Sequence, residues 1–120
     1  MDSKEINCEE KKSEINDLDS IFFALSDRKR RLILSFLLCE EMSITQISRK
    51  CAISMASTSK HIQVLLKAKL VTQKPKGRNR ICRVSLRNLS KANVWLSSFG
   101  LLDLLDLSNL EGFLSKENLI

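Results

Sequence analysis

The chain has 120 residues, 43% of them hydrophobic, which suits one domain with a single core and excludes a chain disordered by composition. Three Gly, one Pro and no Tyr predict a mostly helical protein with few tight turns. The net charge of +6 points to an acidic partner, while no apolar run approaches the length of a membrane span.

The first 13 residues are polar and mixed in charge, so they are expected to form a flexible arm rather than a signal or transit peptide, with the cytoplasm as the expected compartment. The domain proper is expected over residues 14–107 and a tail over 108–120. From Glu14, the apolar positions Ile15, Leu18, Ile21, Phe22 and Leu25 recur at three and four, which is helix spacing. A second helix follows in "SDRKRRLILSFLLCEE", capped by Ser26 or Asp27 and facing the core with Leu32, Ile33, Phe36 and Leu37. Arg28, Lys29, Arg30 and Arg31 crowd its first turn, where the helix dipole disfavours cations. Phosphate contact and simple solvation of the helix surface are both open readings of that cluster.

Next, Ser43 caps a short helix whose inward residues are Ile44, Ile47 and Cys51. A tight turn then leads to Ser54, which caps "MASTSKHIQVLLKAKL". A short helix, a short turn and a second helix form a helix-turn-helix, here without the Gly often found in the turn. After Leu70 the period drops to two. Two strands, Val71–Lys74 and Arg80–Leu86, are predicted around the basic tip "KPKGRNR", with Pro75 at a strand end that spares its missing N–H. A basic hairpin placed directly after a helix-turn-helix is a wing. Helical spacing returns from Ser90, with Val94, Trp95, Phe99, Leu102 and Leu105. The first and last helices are more apolar than a small core needs, so a homodimer is expected through Leu18, Ile21, Phe22, Leu25, Trp95, Phe99 and Leu102.

The charges are segregated. Residues 42–102 hold 12 basic side chains and no Asp or Glu, whereas both flanks are net acidic. Ordinary surfaces mix the two signs, so an acid-free tract reads as the footprint of a polyanion. The helix after the turn has two unlike halves. Its rear, with Ile62, Leu65, Leu66 and Ala68, has core spacing. Its front, Ser54, Met55, Ala56, Ser57, Thr58, Ser59, Lys60 and His61, is small, hydroxylated or basic. An α-helix fits the major groove of B-DNA, and its N-terminal residues meet the base edges. Small side chains let the backbone approach, hydroxyls bond phosphates or bases, and the helix N-terminus attracts phosphate. Met55 suits a thymine methyl or a plain helix position equally. With Gln63 on the same helix and Lys76, Arg78 and Arg80 on the wing, these residues make the candidate site for double-stranded DNA.

Taken in order, "LSDRKRRLIL", "SMASTSKHIQVL", the "LV" before the wing, and "GRNRICRVSL" resemble the ArsR family of bacterial and archaeal winged-helix transcriptional regulators, over about Ile21 to Leu96. The resemblance implies a mainly α fold with a small β-hairpin, a winged helix-turn-helix. It also implies a homodimer through the first and last helices whose recognition helices enter successive major grooves of an inverted repeat. The sequence shows no paired carboxylates, nucleophile–base pair or phosphate loop, and His61 is its only His, so no catalysis is expected and a repressor is the expected role. The arsenic-sensing members carry CxC where this chain has Ser43 and Thr45, and the zinc-sensing members carry His on the last helix, where this chain has none. The non-metal branch is the expected one, with no metal, no cofactor and no inducer identified. Cys8, Cys39, Cys51 and Cys82 are widely spaced and lack CxxC pairing, which favours structural thiols over a zinc or disulfide framework. Two alternatives stand beside the DNA-binding reading: a winged-helix module for protein partners, and a thiol-based redox- or sulfide-responsive repressor. For the second, Cys39 lies near one sensor position of the family, but the last helix offers no partner cysteine.

Overall fold

The computed structural model describes residues 8–99, with side chains from Asp17 onward. Five helices and one small sheet alternate as α1 (Cys8–Leu25), α2 (Arg28–Cys39), β1 (Met42–Ser43), α3 (Ile44–Cys51), α4 (Met55–Lys67), β2 (Val71–Lys76), β3 (Asn79–Val84) and α5 (Leu86–Ser97). Helix α1 begins at Cys8, inside the stretch expected to be a loose arm. "CEEKKSE" holds good helix formers and no Gly or Pro, so nothing stops the helix from running back past Glu14.

The starts of α2 and α3 have local causes. Asp27 caps α2 by accepting from the amides of Lys29 (2.7 Å) and Arg30 (3.3 Å). Partial burial pushes the Asp27 carboxyl up, but those two amides together with nearby positive charge, the Arg30 guanidinium foremost, outweigh it and hold the group below its ordinary range. Ser43 and Gln46 close a capping box at α3, with Gln46 Oε1 accepting from the Ser43 amide at 2.8 Å. The turn after α3 uses Ala52 at φ +56° where glycine is usual, a left-handed conformation that costs a Cβ-bearing residue about 1–2 kcal/mol. Two bonds hold it there: the Ile53 amide donates to the Ser48 carbonyl at 3.2 Å, and the Ser48 hydroxyl donates to the Ile53 carbonyl at 2.6 Å.

The core is built from Ile21 and Ala24 of α1, Ile33, Leu34 and Leu37 of α2, Ile47 of α3, and Ile62 and Leu65 of α4. Met42, Leu70, Val71 and Cys82 close it from the sheet side and Ala92 from α5. In α2 the buried residue is Leu34, while Leu32, expected inside, is exposed. Ile21, expected at a dimer surface, is fully buried and packs in the core of its own protomer.

The sheet is antiparallel in the order β1-β3-β2. Both wing strands run further toward the tip than the alternation predicts; β2 begins at Val71 as expected, while β3 stops at Val84 and Leu86 opens α5 instead of ending a strand. Pro75 lies within β2, opposite Arg80, and is tolerated because β2 is an edge. Gly77 at φ +63° and Arg78 form the two-residue connection, with glycine at the first central position as such hairpins prefer. Helix α5 is anchored by the buried Asn88, whose Nδ2 donates to the Ala68 carbonyl at 3.0 Å, and by a 2.8 Å ion pair between Lys91 and Asp17 of α1. The Lys91 ammonium holds the Asp17 carboxyl below its ordinary range. Among the described residues no helix is long and apolar enough to cross a membrane.

Candidate nucleic-acid interface

Helix α4 divides its surface as the two-faced sequence requires. Thr58, Ile62 and Leu65 face inward, and full burial of such an Ile or Leu contributes about 1.5–3 kcal/mol. Met55, Ala56, Lys60, Gln63 and Lys67 are exposed, and Ser57, Ser59 and His61 are half-buried along the boundary. Ser54 caps the helix by accepting from the Ser57 amide at 3.0 Å. The amides of Met55 and Ala56 have no intrahelical acceptor and stand at the positive end of the dipole.

Thr58 does not belong to the contact surface assigned to it from the sequence. It is fully buried, and its hydroxyl donates to the Ser54 carbonyl at 2.8 Å, so the polar group is satisfied within its own helix. The cations in the first turn of α2 also divide. Arg31 donates to the Leu25 carbonyl at 2.7 Å, and Arg30 is buried, donating to the carbonyls of Ala24 (2.8 Å) and Phe23 (3.0 Å). These two side chains cap the C-terminal carbonyls of α1, which accounts for them without phosphate. Arg28 and Lys29 stay exposed.

On the wing, Lys74, Lys76, Arg78 and Arg80 are all exposed. Between the wing and α3 runs a groove of about 590 Å³ lined by Glu41, Ser43, Thr45, Gln46, Arg49, Lys76, Asn79 and Ile81. Thr45, Gln46, Arg49 and Asn79 were not among the residues picked from the sequence. For Thr45, Gln46 and Arg49 the available signal is their place on the helix before the turn, which in helix-turn-helix proteins crosses the DNA backbone; Asn79 opens β3 on the wing.

Ser43 and Thr45 stand at the front of α3, and Ser43 is occupied as its cap. Among the described residues no three His, Cys, Asp or Glu side chains cluster as metal ligands would. Cys39 is exposed, Cys51 half-buried and Cys82 fully buried. Burial pushes the thiols of Cys51 and Cys82 up, with a weak Gln73 contact partly offsetting it at Cys82. Both are poor nucleophiles for that reason.

Of the dimer candidates, Trp95 and Phe99 are 44% and 64% exposed, and Leu18, Phe22 and Leu25 are half-buried. Trp95 packs edge-on against Phe22 at 5.6 Å and against Phe99 at 4.9 Å, and Val94 and Leu96 are also exposed. A cavity of about 410 Å³ beside them is lined by Leu18, Ser90, Lys91, Val94, Trp95 and Ser98. Leu102 lies outside the described residues.

A recognition-type helix behind a tight turn, flanked by a basic hairpin, defines a winged helix-turn-helix protein. A family model described as a helix-turn-helix domain matches residues 25–74. An ArsR-like transcriptional regulator from Rhodococcus sp. RHA1 superposes with a TM-score of 0.68 at 25% identity, over 86% of this chain and 94% of its own. NolR from Sinorhizobium fredii superposes at 0.61 with 27% identity, over 75% of this chain and 90% of its own. A homodimeric winged helix-turn-helix DNA-binding domain from Mycobacterium bovis shares the fold at 0.65 and 18% identity, over 87% and 96%. No curated relative matches in sequence. The chain is a winged helix-turn-helix protein similar to ArsR-family regulators, and it is a DNA-binding transcriptional regulator.

Proposed function

We propose that the protein is a repressor of the non-metal-sensing branch that binds an inverted-repeat operator as a homodimer. In this reading the exposed front of α4 lies in the major groove, with Ser54, Met55, Ala56, Ser57, Ser59, Lys60, His61 and Gln63 as its contacts. Lys76, Arg78 and Arg80 reach the backbone from the wing, and the aromatic faces of α1 and α5 join the two copies. The observation that carries it is the division of α4: a small, polar, capped N-terminal half opposite a fully buried stripe, within a tract of residues 42–102 that holds no acid. A protein partner gives no reason to remove every carboxylate; a polyphosphate does.

Selection of bound duplexes from a random pool tests this directly. The expected product is an inverted repeat with half-sites about 10 bp apart, one helical turn. Placed over a promoter, it should lower transcription in a purified system when the protein is added. A pool that gains no sequence after several rounds overturns the operator; an unchanged transcript level overturns the repressor.

The wing is expected to supply affinity without reading sequence. Replacing both Arg78 and Arg80 by Ala should weaken all duplexes alike and reduce the slope of log affinity against log salt by about four per dimer, two from each copy. A fixed slope with relaxed preference at one base position would instead make the wing a reader.

A further inference from the structure

Arg30 touches three helices. From α2 its Nε donates to the Ala24 carbonyl at 2.8 Å and its Nη2 to the Phe23 carbonyl at 3.0 Å, while its guanidinium lies 5.2 Å from the centre of the Phe23 ring. Its Nη1 lies 3.3 Å from Nδ1 of His61 on α4. The whole residue is 7% exposed. A guanidinium has donors and no acceptor, so the Nδ1 it meets must offer a lone pair, and the proton of the neutral ring must sit on Nε2. Asp27 is a further charged group near the ring; its carboxylate is engaged by the amides of Lys29 and Arg30 and lies 4.0 Å from Arg30 Nη1. A second proton on the ring would remove the acceptor and set two cations against each other. Nε2 makes no hydrogen bond to a described residue, and no buried side-chain nitrogen or oxygen among those residues lacks a partner, so Nε2 opens to solvent.

We propose that Arg30 is a positioning residue for DNA contact: it seats α4 against the last turn of α1 and fixes His61 as the Nε2–H tautomer, presenting a neutral N–H donor to an acceptor on the duplex. The proposal rests on α4 being the reading helix. Arg30 itself is too buried to meet DNA, and it acts through His61. The carbonyls it bonds, of Phe23 and Ala24, belong to α1, so one side chain ties the reading helix to the helix that carries the aromatic face.

The test is a double-mutant cycle on the selected operator, with Arg30→Lys, His61→Ala and the pair, together with the nitrogen NMR spectrum of the imidazole. The chain has a single histidine, so the ring signals need no sorting. Arg30→Lys keeps the charge and loses the fork that spans two carbonyls and the ring. In the wild type Nδ1 is expected to appear as an unprotonated acceptor nitrogen. Arg30→Lys should weaken operator binding about tenfold when His61 is present, and less than about twofold in the His61→Ala background. Equal losses in both backgrounds, or a protonated Nδ1, would overturn it. Where Arg30→Lys does not fold, two measurements decide: the wild-type ring spectrum, and His61→Ala affinity, which must fall. A wild type that enriches no duplex at all condemns the reading of α4 instead, and leaves the ring spectrum to report on Arg30.

Discussion

Ser57→Glu is expected to abolish operator binding while the protein stays folded. Ser57 is the third residue of α4, and its amide already donates to the Ser54 hydroxyl at 3.0 Å. A Glu at this position completes the Ser-x-x-Glu pattern, in which the new carboxylate reaches back to the Ser54 amide, as Gln46 does for Ser43 one helix earlier. The helix dipole favours the acid there by roughly 0.3–1 kcal/mol, so the unfolding temperature should hold or rise. The same carboxylate would face phosphates and base acceptors. A good base contact is worth about 1–3 kcal/mol, so the loss should be at least about tenfold before repulsion is added. Lys67→Gln, at the far end of the same helix, removes one cation per copy from the general field and should cost only a few-fold, at most about two counterions' worth per dimer. Operator affinity and thermal unfolding measured on both variants settle it. A folded Ser57→Glu that binds as well as Lys67→Gln would mean that the front of α4 is not the reading head.

That experiment targets a feature visible before any coordinates, because the polar front of α4 and its capping Ser54 are local. Local chemistry also placed the cap at Ser43 and the turn between α3 and α4, and it narrowed the cap of α2 to Ser26 or Asp27, of which Asp27 serves. What escaped the sequence depends on partners distant along the chain. Strand β1 has two residues and exists only because Met42 and Ser43 pair with Cys82 and Ile81. No periodicity can reveal a strand that short. In α2 the run "LILSFLLC" offers apolar side chains on every side, so spacing alone did not separate the exposed Leu32 from the buried Leu34.

The site shows the same division. Thr58 was grouped with its hydroxylated neighbours, yet a Thr hydroxyl that bonds the carbonyl four residues back needs no water and can be buried. Arg30 and Arg31 read as two members of a four-cation patch because the carbonyls they satisfy, at Phe23, Ala24 and Leu25, belong to the preceding helix. Residue type signalled positive charge; only the meeting of α1 and α2 shows which charges are committed inside. In α1 the apolar period begins at Ile15 while the helix begins at Cys8, because periodicity marks what is buried and propensity marks how far the helix runs.

Trp95→Glu is expected to convert a dimer into a monomer. The argument starts from an imbalance: Phe22 supports one edge of Trp95, while Trp95, Phe99, Val94 and Leu96 still expose large apolar surface along α5. Scattered apolar side chains need no partner, but an aromatic cluster that continues from α1 onto α5 beside a 410 Å³ cavity has the size and continuity of a contact face. In a two-fold dimer each substitution enters the interface twice, so the two copies of Glu bury two charges without partners. One such charge costs about 3–5 kcal/mol, which raises the dissociation constant by more than about a hundredfold. Sedimentation at micromolar concentration should show a wild-type dimer and a Trp95→Glu monomer. Operator affinity should fall with it, since each half-site then binds alone. Phe99→Glu guards against misfolding as the cause, because Phe99 touches its own protomer less and should break the dimer with a smaller change in unfolding temperature. Leu38→Gln, at an exposed apolar position of α2, should leave the dimer intact. A wild type that sediments only as a monomer, or a Phe99→Glu variant that remains a folded dimer, would remove α1 and α5 from the interface. The search for the dimer contact would then move to another face of the protomer.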